Sequence, residues 1–573
     1  MADRRIESNQ DVADLLRDVR AAYQMKGVNR FEAQAYDNAA AGAEHATQNL
    51  RELYEQDRLQ EVPGVGPRIA DYLAELYLTG RVKHFDEVFA GIPDVVFDLI
   101  KIPGVGPATA QKLAAAGVED LKDLELKLGN AELFSKGISK KVQENIGTGL
   151  AELQRRSGRL MLPKAAELAK ELLDYLRTSP AVIEAVGAGS LRRRLATIGD
   201  VDIIVSTREP GAVIRYFLSF PGVHSVIDSG ETAASVLLHN GIHSDVLTGP
   251  PESYGALLHH FTGSKHHNIH IRRLARETGY SVSEHGVKRL SDGETLRMAT
   301  EDDLYKLLGM QTPPPEIRED TGEIEAALAG KLPALVERKD IRGDCHTHTA
   351  WSDGRDSMAE MAAACRALGR EYMVITDHSY PNLDFVTRSR ELDALRESDP
   401  GIRLMDGLEV NITSEGGLQV PDEVLAAHEY CIASIHSSFR QPRDVMTRRI
   451  LAALEHPSIN GIAHPTGRLI NAREGVEADW DAVMSACLRL EKFLEIDGYP
   501  DRLDLPDNLV RAAVRRGVKM VIDSDAHATE QLEMLVYGVD DARRGWATAA
   551  NILNTLPYDD FVREAHVRLR LRR

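Results

Sequence analysis

From residue 343 onward, short apolar runs alternate with helical stretches, and each run carries a histidine or a carboxylate at or near its end. The runs read GDCHTHT, EYMVITDHS, IRLMDGLEV, EYCIASIHS, INGIAHP, KFLEID and VKMVIDSDAH, with helical patterns such as DNLVRAAVRRG among them. Apolar runs of this length are strands buried on both faces, and interleaved helices make their sheet parallel. Polar residues gathered at strand ends are what an α/β barrel presents at its active face. Side chains alternate along a strand, so His346 and His348 share one face, the simplest way for a strand to give two imidazoles to one ion. Asp353 follows in a turn, and His378, Glu409, His436, His464, Asp525 and His527 recur at later strand ends. One such histidine is ordinarily a satisfied core or loop residue. A whole set of nitrogen and oxygen ligands at successive strand ends predicts a metal centre.

A second acidic pattern lies upstream. GDVDIIV puts Asp200 and Asp202 two apart in an otherwise apolar strand, hence on one face, where they repel each other and lose hydration if covered. Such a pair is stable in water or around a cation. Asp245 follows in HSDVLTG. Three carboxylates converging on one face can hold two divalent cations, one acting on an attacking hydroxyl and the other on a leaving pyrophosphate. Immediately upstream, GAGSLRRRLATI offers Gly189, Ser190 and Arg193 to seat a triphosphate through backbone N–H, hydroxyl and guanidinium groups.

Residues 1 to about 155 carry helical spacing throughout, and they repeat: EVPGVGPRIADYL is echoed by KIPGVGPATAQKL. Gly64 with Gly66, and Gly104 with Gly106, allow a tight turn whose N–H groups face outward, while Pro67 and Pro107 suit the first turn of the following helix. Two such helix starts can hold phosphates of a nucleic-acid backbone without reading bases. LFSKGISKKVQENI, at 133–146, is a third candidate that lacks the second glycine. The net charge of −19 argues against adhesion to nucleic acid over the whole surface, so a DNA reading rests on these local motifs. Four widely spaced cysteines without a CxxC pair indicate neither a disulfide framework nor a thiolate zinc site. A charged N-terminus and no apolar run of membrane-span length lead to the expectation of a soluble cytoplasmic chain with no membrane partner.

The paired glycine turns resemble helix-hairpin-helix motifs, a sequence-independent clamp on the DNA backbone. GSLRRRLATIGDVDIIV resembles the nucleotidyltransferase signature of family X DNA polymerases, and HHFTGSKHHNIHIRRLA resembles their thumb motif. This resemblance covers residues 1 to about 315. It implies Asp200, Asp202 and Asp245 as ligands of two Mg or Mn ions, Ser190 and Arg193 as contacts to the incoming nucleotide's phosphates, Phe261 and Gly263 to its sugar, and Asn268 and Arg272 to the nascent base pair and template. Arg194 stands where relatives usually have glycine, Leu247 where they often have arginine, and His260 where many have tyrosine. Tyr72 occupies the position of the lysine that forms a Schiff base in lyase-active relatives, and tyrosine cannot do that chemistry.

From about residue 341 the chain resembles the polymerase and histidinol phosphatase (PHP) domain, a distorted (βα)7 barrel with a trinuclear metal centre. The resemblance implies His346, His348, Asp353, His378, Glu409, His436, His464, Asp525 and His527 as ligands of up to three Mn or Zn ions, and phosphoester hydrolysis as the chemistry. Asn411 replaces an aspartate frequent in relatives, and Cys345 is expected to pack inward.

Taken in order, these parts resemble the bacterial family X DNA polymerases with a C-terminal PHP domain. The expected fold is multidomain α and α/β: an N-terminal helix-hairpin-helix domain (1–85), helical fingers with the second hairpin (86–155), a nucleotidyltransferase palm (156–250), a thumb (251–315), a linker (316–340) and a metallo-phosphoesterase barrel (341–573). The expected enzyme fills short DNA gaps in repair, including base excision repair, and removes 3′ nucleotides. Its partners would be gapped or primer-template DNA and deoxynucleoside triphosphates, and it would act as a monomer. A second reading makes the polymerase half a degenerate DNA-holding module of a nuclease, favoured by Arg194 and Leu247. A third, a small-molecule phosphatase, has no use for a DNA clamp.

Overall fold

The computed structural model describes residues 9–26, 32–33, 35–36, 39–40, 43, 50–55, 58–62, 64–100, 102, 105–128, 143, 146–147, 150, 159–380, 383–398, 401–470 and 475–569. These form two compact units, residues 1–158 and 159–573. Gly104 and nearly all of the third hairpin candidate at 133–146 lie outside the described residues.

The first unit is helical. Helix α1 (Asn9–Met25) buries Val12, Leu16 and Val19 in a core shared with Ile69, Leu73 and Leu76 of α2 (Pro67–Thr79). A second core surrounds Ala110 and Leu113 of α3 (Pro107–Ala115). The sequence repeat is also a structural one. Gly66 caps α2 at φ −79 and ψ 171, and Gly106 caps α3 at φ −84 and ψ 170, each followed by proline in the first turn. The Val65 N–H donates to the Val62 carbonyl as the Val105 N–H does to that of Ile102, at 3.0 and 2.9 Å. Gly64 sits at φ +84, which only glycine adopts readily.

The second unit begins with α4 (Leu162–Arg177), packed on a five-stranded sheet of β1 (Glu184–Gly187), β2 (Asp200–Ser206), β3 (Val223–Ser229), β4 (Ala233–Leu238) and β5 (His243–Gly249). Their spatial order is β1-β2-β5-β4-β3, with β2 and β5 parallel. Val201, Ile203 and Val205 point into a core with α4 and with α5 (Pro210–Leu218). On the other face Ile204 meets Leu257 and Leu258 of α6 (Tyr254–Thr262). After α6 come α7 (Lys265–Glu277) and a small antiparallel sheet, β6 (Tyr280–Ser283), β7 (Gly286–Arg289) and β8 (Thr295–Leu296).

The stretch expected to be a linker is folded. It contains α8 (Glu323–Leu328), and two of its charged residues are buried. Arg318 is ion-paired with Glu301, donates to the Pro313 carbonyl at 2.9 Å and lies 5.1 Å over the Tyr305 ring. Glu323 accepts from His267 Nδ1 at 2.6 Å and from the N–H groups of Asp320 and Thr321. A proline-rich, charged composition reads as solvated, but here Arg318 is buried against Glu301 and Glu323 is buried in hydrogen bonds.

Seven parallel strands then follow in sequence order: β9 (Gly343–Thr347), β10 (Tyr372–Ile375), β11 (Arg403–Asn411), β12 (Tyr430–Ser434), β13 (Gly461–Ile462), β14 (Phe493–Asp497) and β15 (Met520–Asp523). A parallel bridge between Thr347 and Ala526 joins the two ends and nearly closes the ring. One set of strand residues, including Cys345, Val374, Ile432 and Val521, packs with Phe561 of the C-terminal helix. The alternate set, including Leu408, Val410, Leu494 and Ile522, packs with surrounding helices. Both faces are covered, hence the unbroken apolar runs. The helices around this barrel include α9 (Asp507–Arg516) and α10 (Leu535–Arg544). Tyr537 of α10 packs against the core of the five-stranded sheet, so the two halves of this unit are in contact.

Burial alone would push the Glu301 carboxyl up, but Arg318 and Arg192 hold it down at about 2. A depressed carboxyl stabilises the fold above its unfolded pKa and ceases to do so as pH falls through its folded one. Stability should therefore fall between about pH 4.5 and 2 in the parent and less steeply in Arg318→Met. At pH 7 that variant should be less stable by about 3 kcal/mol, because Glu301 loses its main partner. Urea denaturation followed by circular dichroism at several pH values measures both.

Candidate active sites

In the five-stranded sheet, the parallel register sets Asp202 directly opposite Asp245, with Asp200 opposite His243. The two expected strand carboxylates and the third on the neighbouring strand are thus side by side at the start of two inner strands of the sheet. Burial, then Asp200 and Asp245, push the Asp202 carboxyl up to about 7, against a lowering pull from Arg193. A cation relieves that repulsion as a proton does, so the residues fit a divalent metal. Gly189 has φ +55, and a Cβ there would lie 2.0 Å from Asp202 Oδ2. Glycine at 189 is therefore what gives the Asp202 carboxylate its place. Ser190 follows in the same short helical turn. Arg193 donates through Nη1 to the Thr262 carbonyl at 2.6 Å and through Nε to Glu319 at 2.9 Å. Gly263 lies against it, with a Cβ position 3.0 Å from Arg193 Nη1. Phe261 is partly buried beside Ile204, and Leu247 joins the same small cluster, filling an apolar place. Asn268 Nδ2 donates to the His260 carbonyl at 2.7 Å, while its Oδ1 is buried without a partner. Arg272 Nη2 is 3.4 Å from His260 Nδ1, and Glu284 approaches the same nitrogen at 3.5 Å.

The barrel gathers all nine expected ligands. Among the described residues, four groups have ligand atoms within 4.8 Å of one another: His348 with Asp353, His378 and His527; His346 with His348 and Glu409; His346 with His464 and Asp525; and His378 with Glu409 and His436. The groups share members, as a multinuclear centre requires. Glu409 is the hub. Its Oε1 is 2.8 Å from His464 Nε2 and 3.2 Å from His436 Nε2, and its Oε2 is 2.8 Å from His378 Nδ1 and 3.6 Å from the Nε2 of both His346 and His348. Asp525 Oδ1 lies 3.1 Å from His348 Nε2. His464 and Asp525 have φ of +26 and +51, so the backbone is bent at two ligands, as at many functional sites.

The electrostatics fit cations. Burial lowers His348 to about 4 and His464 to about 3, which leaves neutral imidazoles with a lone pair to donate. Burial also lowers His378, but Glu409 and Asp353 overcome it and raise the group to about 10. A proton there stands in for a metal. The buried Nδ1 atoms of His348 and His464 have no hydrogen-bond partner. Asn411 does not face this cluster as a ligand; it bonds His436 Nδ1 and Gln419. Cys345 is buried in the core as expected.

Two side chains at this site escaped the sequence reading. Glu495 accepts from His346 Nδ1 at 2.6 Å and also bonds the His464 backbone N–H, so it turns His346 Nε2 toward the cluster. It lies inside KFLEID, a run from which no ligand is expected. Arg502 lines the 280 Å³ cavity over the cluster, 3.4 Å from Asp525 and 3.6 Å from Asp497. No spacing rule ties a loop arginine to a strand-end cluster.

In the first unit, Gly64, Gly66 and Gly106 are exposed, and a Cβ at Gly66 or Gly106 would meet nothing within 4 Å. Both turns therefore present open backbone. Tyr72 is stacked on His84 with centroids 4.8 Å apart and bonded by Arg68, so this position offers a phenol in an aromatic cluster and no amine.

Replacing Glu495 by glutamine should weaken divalent-metal binding to the barrel by about 10- to 100-fold, because His346 loses the acceptor that fixes its ring. Competition with a fluorescent chelator reads this directly.

Four families match the chain: a helix-hairpin-helix domain at residues 7–82, a SAM-like helix-hairpin-helix tandem at 96–146, the DNA polymerase beta thumb at 257–319 and the PHP domain at 344–499. The DNA polymerase/3'-5' exonuclease PolX of Bacillus subtilis (strain 168) is 35% identical over 562 residues, 96% of this chain and 98% of that one. DNA polymerase lambda of Rattus norvegicus is 26% identical over 44% of this chain and 46% of its own. A probable phosphatase of Acetivibrio thermocellus is 29% identical over 32% of this chain and 78% of its own. With paired hairpins, a thumb, a metal-ready barrel and a relative matched from end to end, the chain belongs to the bacterial PolX family, the family X DNA polymerases that carry a PHP domain.

Proposed function

We propose that this protein is a DNA repair polymerase that fills short gaps, including those of base excision repair, and trims 3′ ends with a 3′–5′ exonuclease in its barrel. The observation that carries the reading is that one compact unit contains both the Asp200, Asp202 and Asp245 carboxylates, side by side, and the Glu409-centred ligand cluster. Both kinds of centre suit chemistry at phosphate, and both serve the same DNA end.

In the sheet, Asp200, Asp202 and Asp245 would hold two Mg or Mn ions. When bound, such ions lower the pKa of a primer 3′-hydroxyl and neutralise a departing pyrophosphate. Gly189 keeps the space into which the Asp202 carboxylate fits. Ser190 and Arg193 bind the triphosphate, Phe261 and Gly263 meet the sugar, and Asn268 with its unpartnered Oδ1 and Arg272 meet the nascent pair and template. Gly64, Gly66, Gly104 and Gly106 place backbone N–H groups on DNA phosphates.

In the barrel, the nine ligands would hold up to three Mn or Zn ions, which would supply an activated water and a clamp on the scissile phosphate. His348 and His464 donate neutral nitrogens, Glu409 bridges the groups, and Glu495 and Asn411 orient His346 and His436. A 280 Å³ cavity lies over the cluster, lined by Arg502 and seven of the ligands.

One observation favours the second reading, a nuclease with a vestigial polymerase half: two nitrogens of Arg193 are already bonded within the protein. Primer extension and 3′ degradation on gapped duplex separate the two. Asp202→Ala should abolish extension, by at least about a thousandfold, and leave degradation intact. His346→Ala should do the reverse. A parent that degrades but never extends in Mg or Mn would establish the second reading.

A further inference from the structure

The two halves of the second unit meet at a turn of the palm, and the contacts converge on one arginine. Arg544, at the end of α10, has a side chain only 9% exposed. Its Nη1 donates to the Arg193 carbonyl at 2.8 Å and to Glu319 Oε1 at 3.2 Å, and its Nη2 donates to Asp507 at 2.6 Å. Glu319 Oε1 accepts in turn from Arg193 Nε. Charges thus alternate from the palm into the barrel: Arg193, Glu319, Arg544, Asp507. One helical turn earlier on α10, Asp540 faces Arg194 Nε at 3.8 Å. Arg194 has φ +58, a conformation that favours glycine, which is what relatives usually carry there. The arginine that breaks the family pattern is turned toward the barrel helix.

Two bonded nitrogens fix the plane of the Arg193 guanidinium, since its fork is rigid. Left alone, Glu319 would compete with a phosphate for that cation. Arg544 shares the same carboxylate oxygen and offsets its charge while holding the Arg193 backbone. We propose that Glu319 and Arg544 are positioning residues for nucleotide addition: the barrel, through α10, holds Arg193 in the orientation in which it meets the incoming triphosphate. The proposal rests on the reading of Arg193 as a triphosphate contact. It makes the barrel a structural part of the polymerase site in addition to a nuclease.

Steady-state kinetics of single-nucleotide insertion on gapped DNA tests this with the full chain. Arg193→Ala checks the underlying reading and should raise the KM for the nucleotide. Arg544→Met and Glu319→Gln should each raise that KM about tenfold, the effect of one lost charge-assisted hydrogen bond, with a smaller change in kcat. The double variant should be no worse than the poorer single one, because both break the same chain of bonds. Degradation of 3′ ends should be unchanged, since neither residue touches the barrel ligands. If Arg193→Ala raises the KM but neither of the others moves it beyond twofold, the positioning role is wrong and the role of Arg193 stands. If Arg193→Ala also leaves it unchanged, the underlying reading is wrong. Should Arg544→Met lose both activities through misfolding, the near-isosteric Glu319→Gln decides alone.

Discussion

Burying one carboxylate among five imidazoles is the constraint on which the barrel is organised. Glu409 is 1% exposed, and a carboxylate so placed is tolerated only with compensating positive charge. Burial pushes its carboxyl up, yet His436 and His378 hold it well below the usual carboxylate range. Protons on surrounding histidines supply part of that compensation, and divalent ions supply it better because one ion satisfies several ligands together. The parallel ring makes the crowding possible. Each strand ends at the same face, so residues far apart in the chain arrive within 4 Å of one carboxylate.

Paired burial of charge also holds the rest of the second unit together. Arg318 with Glu301, and Arg388 with Asp377 and Asp406, are all buried or nearly so. Such pairs are not cheap sources of stability, because desolvation offsets much of the Coulomb attraction. What they confer is geometry: a carboxylate and a guanidinium that must satisfy one another admit few arrangements. Residues 316–340 depend on this. Composition marks them as solvated linker, yet their arginine and glutamate are the pegs that fasten them to Tyr305 and His267.

The departures from the family pattern acquire physical meaning in the same frame. Leu247 completes an apolar cluster with Ile204 and Leu257, a place where an arginine would need a partner. His260 lies between Arg272 and Glu284, and its carbonyl orients Asn268. Arg194 faces Asp540 on the barrel helix, whose carboxyl is pushed up to about 6 by burial and pulled down by Arg194. None of these removes a strand carboxylate, and each is explained by packing or charge around it.

Much of this was legible in the chain alone, for reasons that are local. Alternation along a strand puts His346 with His348 and Asp200 with Asp202, whatever the tertiary structure does. The PGVG repeat carries its own turn, because glycine and proline act on their own backbone, and the two helix starts agree to within a few degrees. Apolar runs covered on both faces declare a parallel barrel. What lay beyond reach depends on residues distant in sequence. Glu495 under His346, Arg502 over the cavity, the buried pairs that fold residues 316–340 and the bridge from Arg544 to Arg193 are contacts whose partners no spacing rule connects. The sequence by itself determined which residue types stand at strand ends and turns, since that follows from backbone periodicity. Only the tertiary structure decided which charges would be buried against which, because pairing across space depends on how the elements pack.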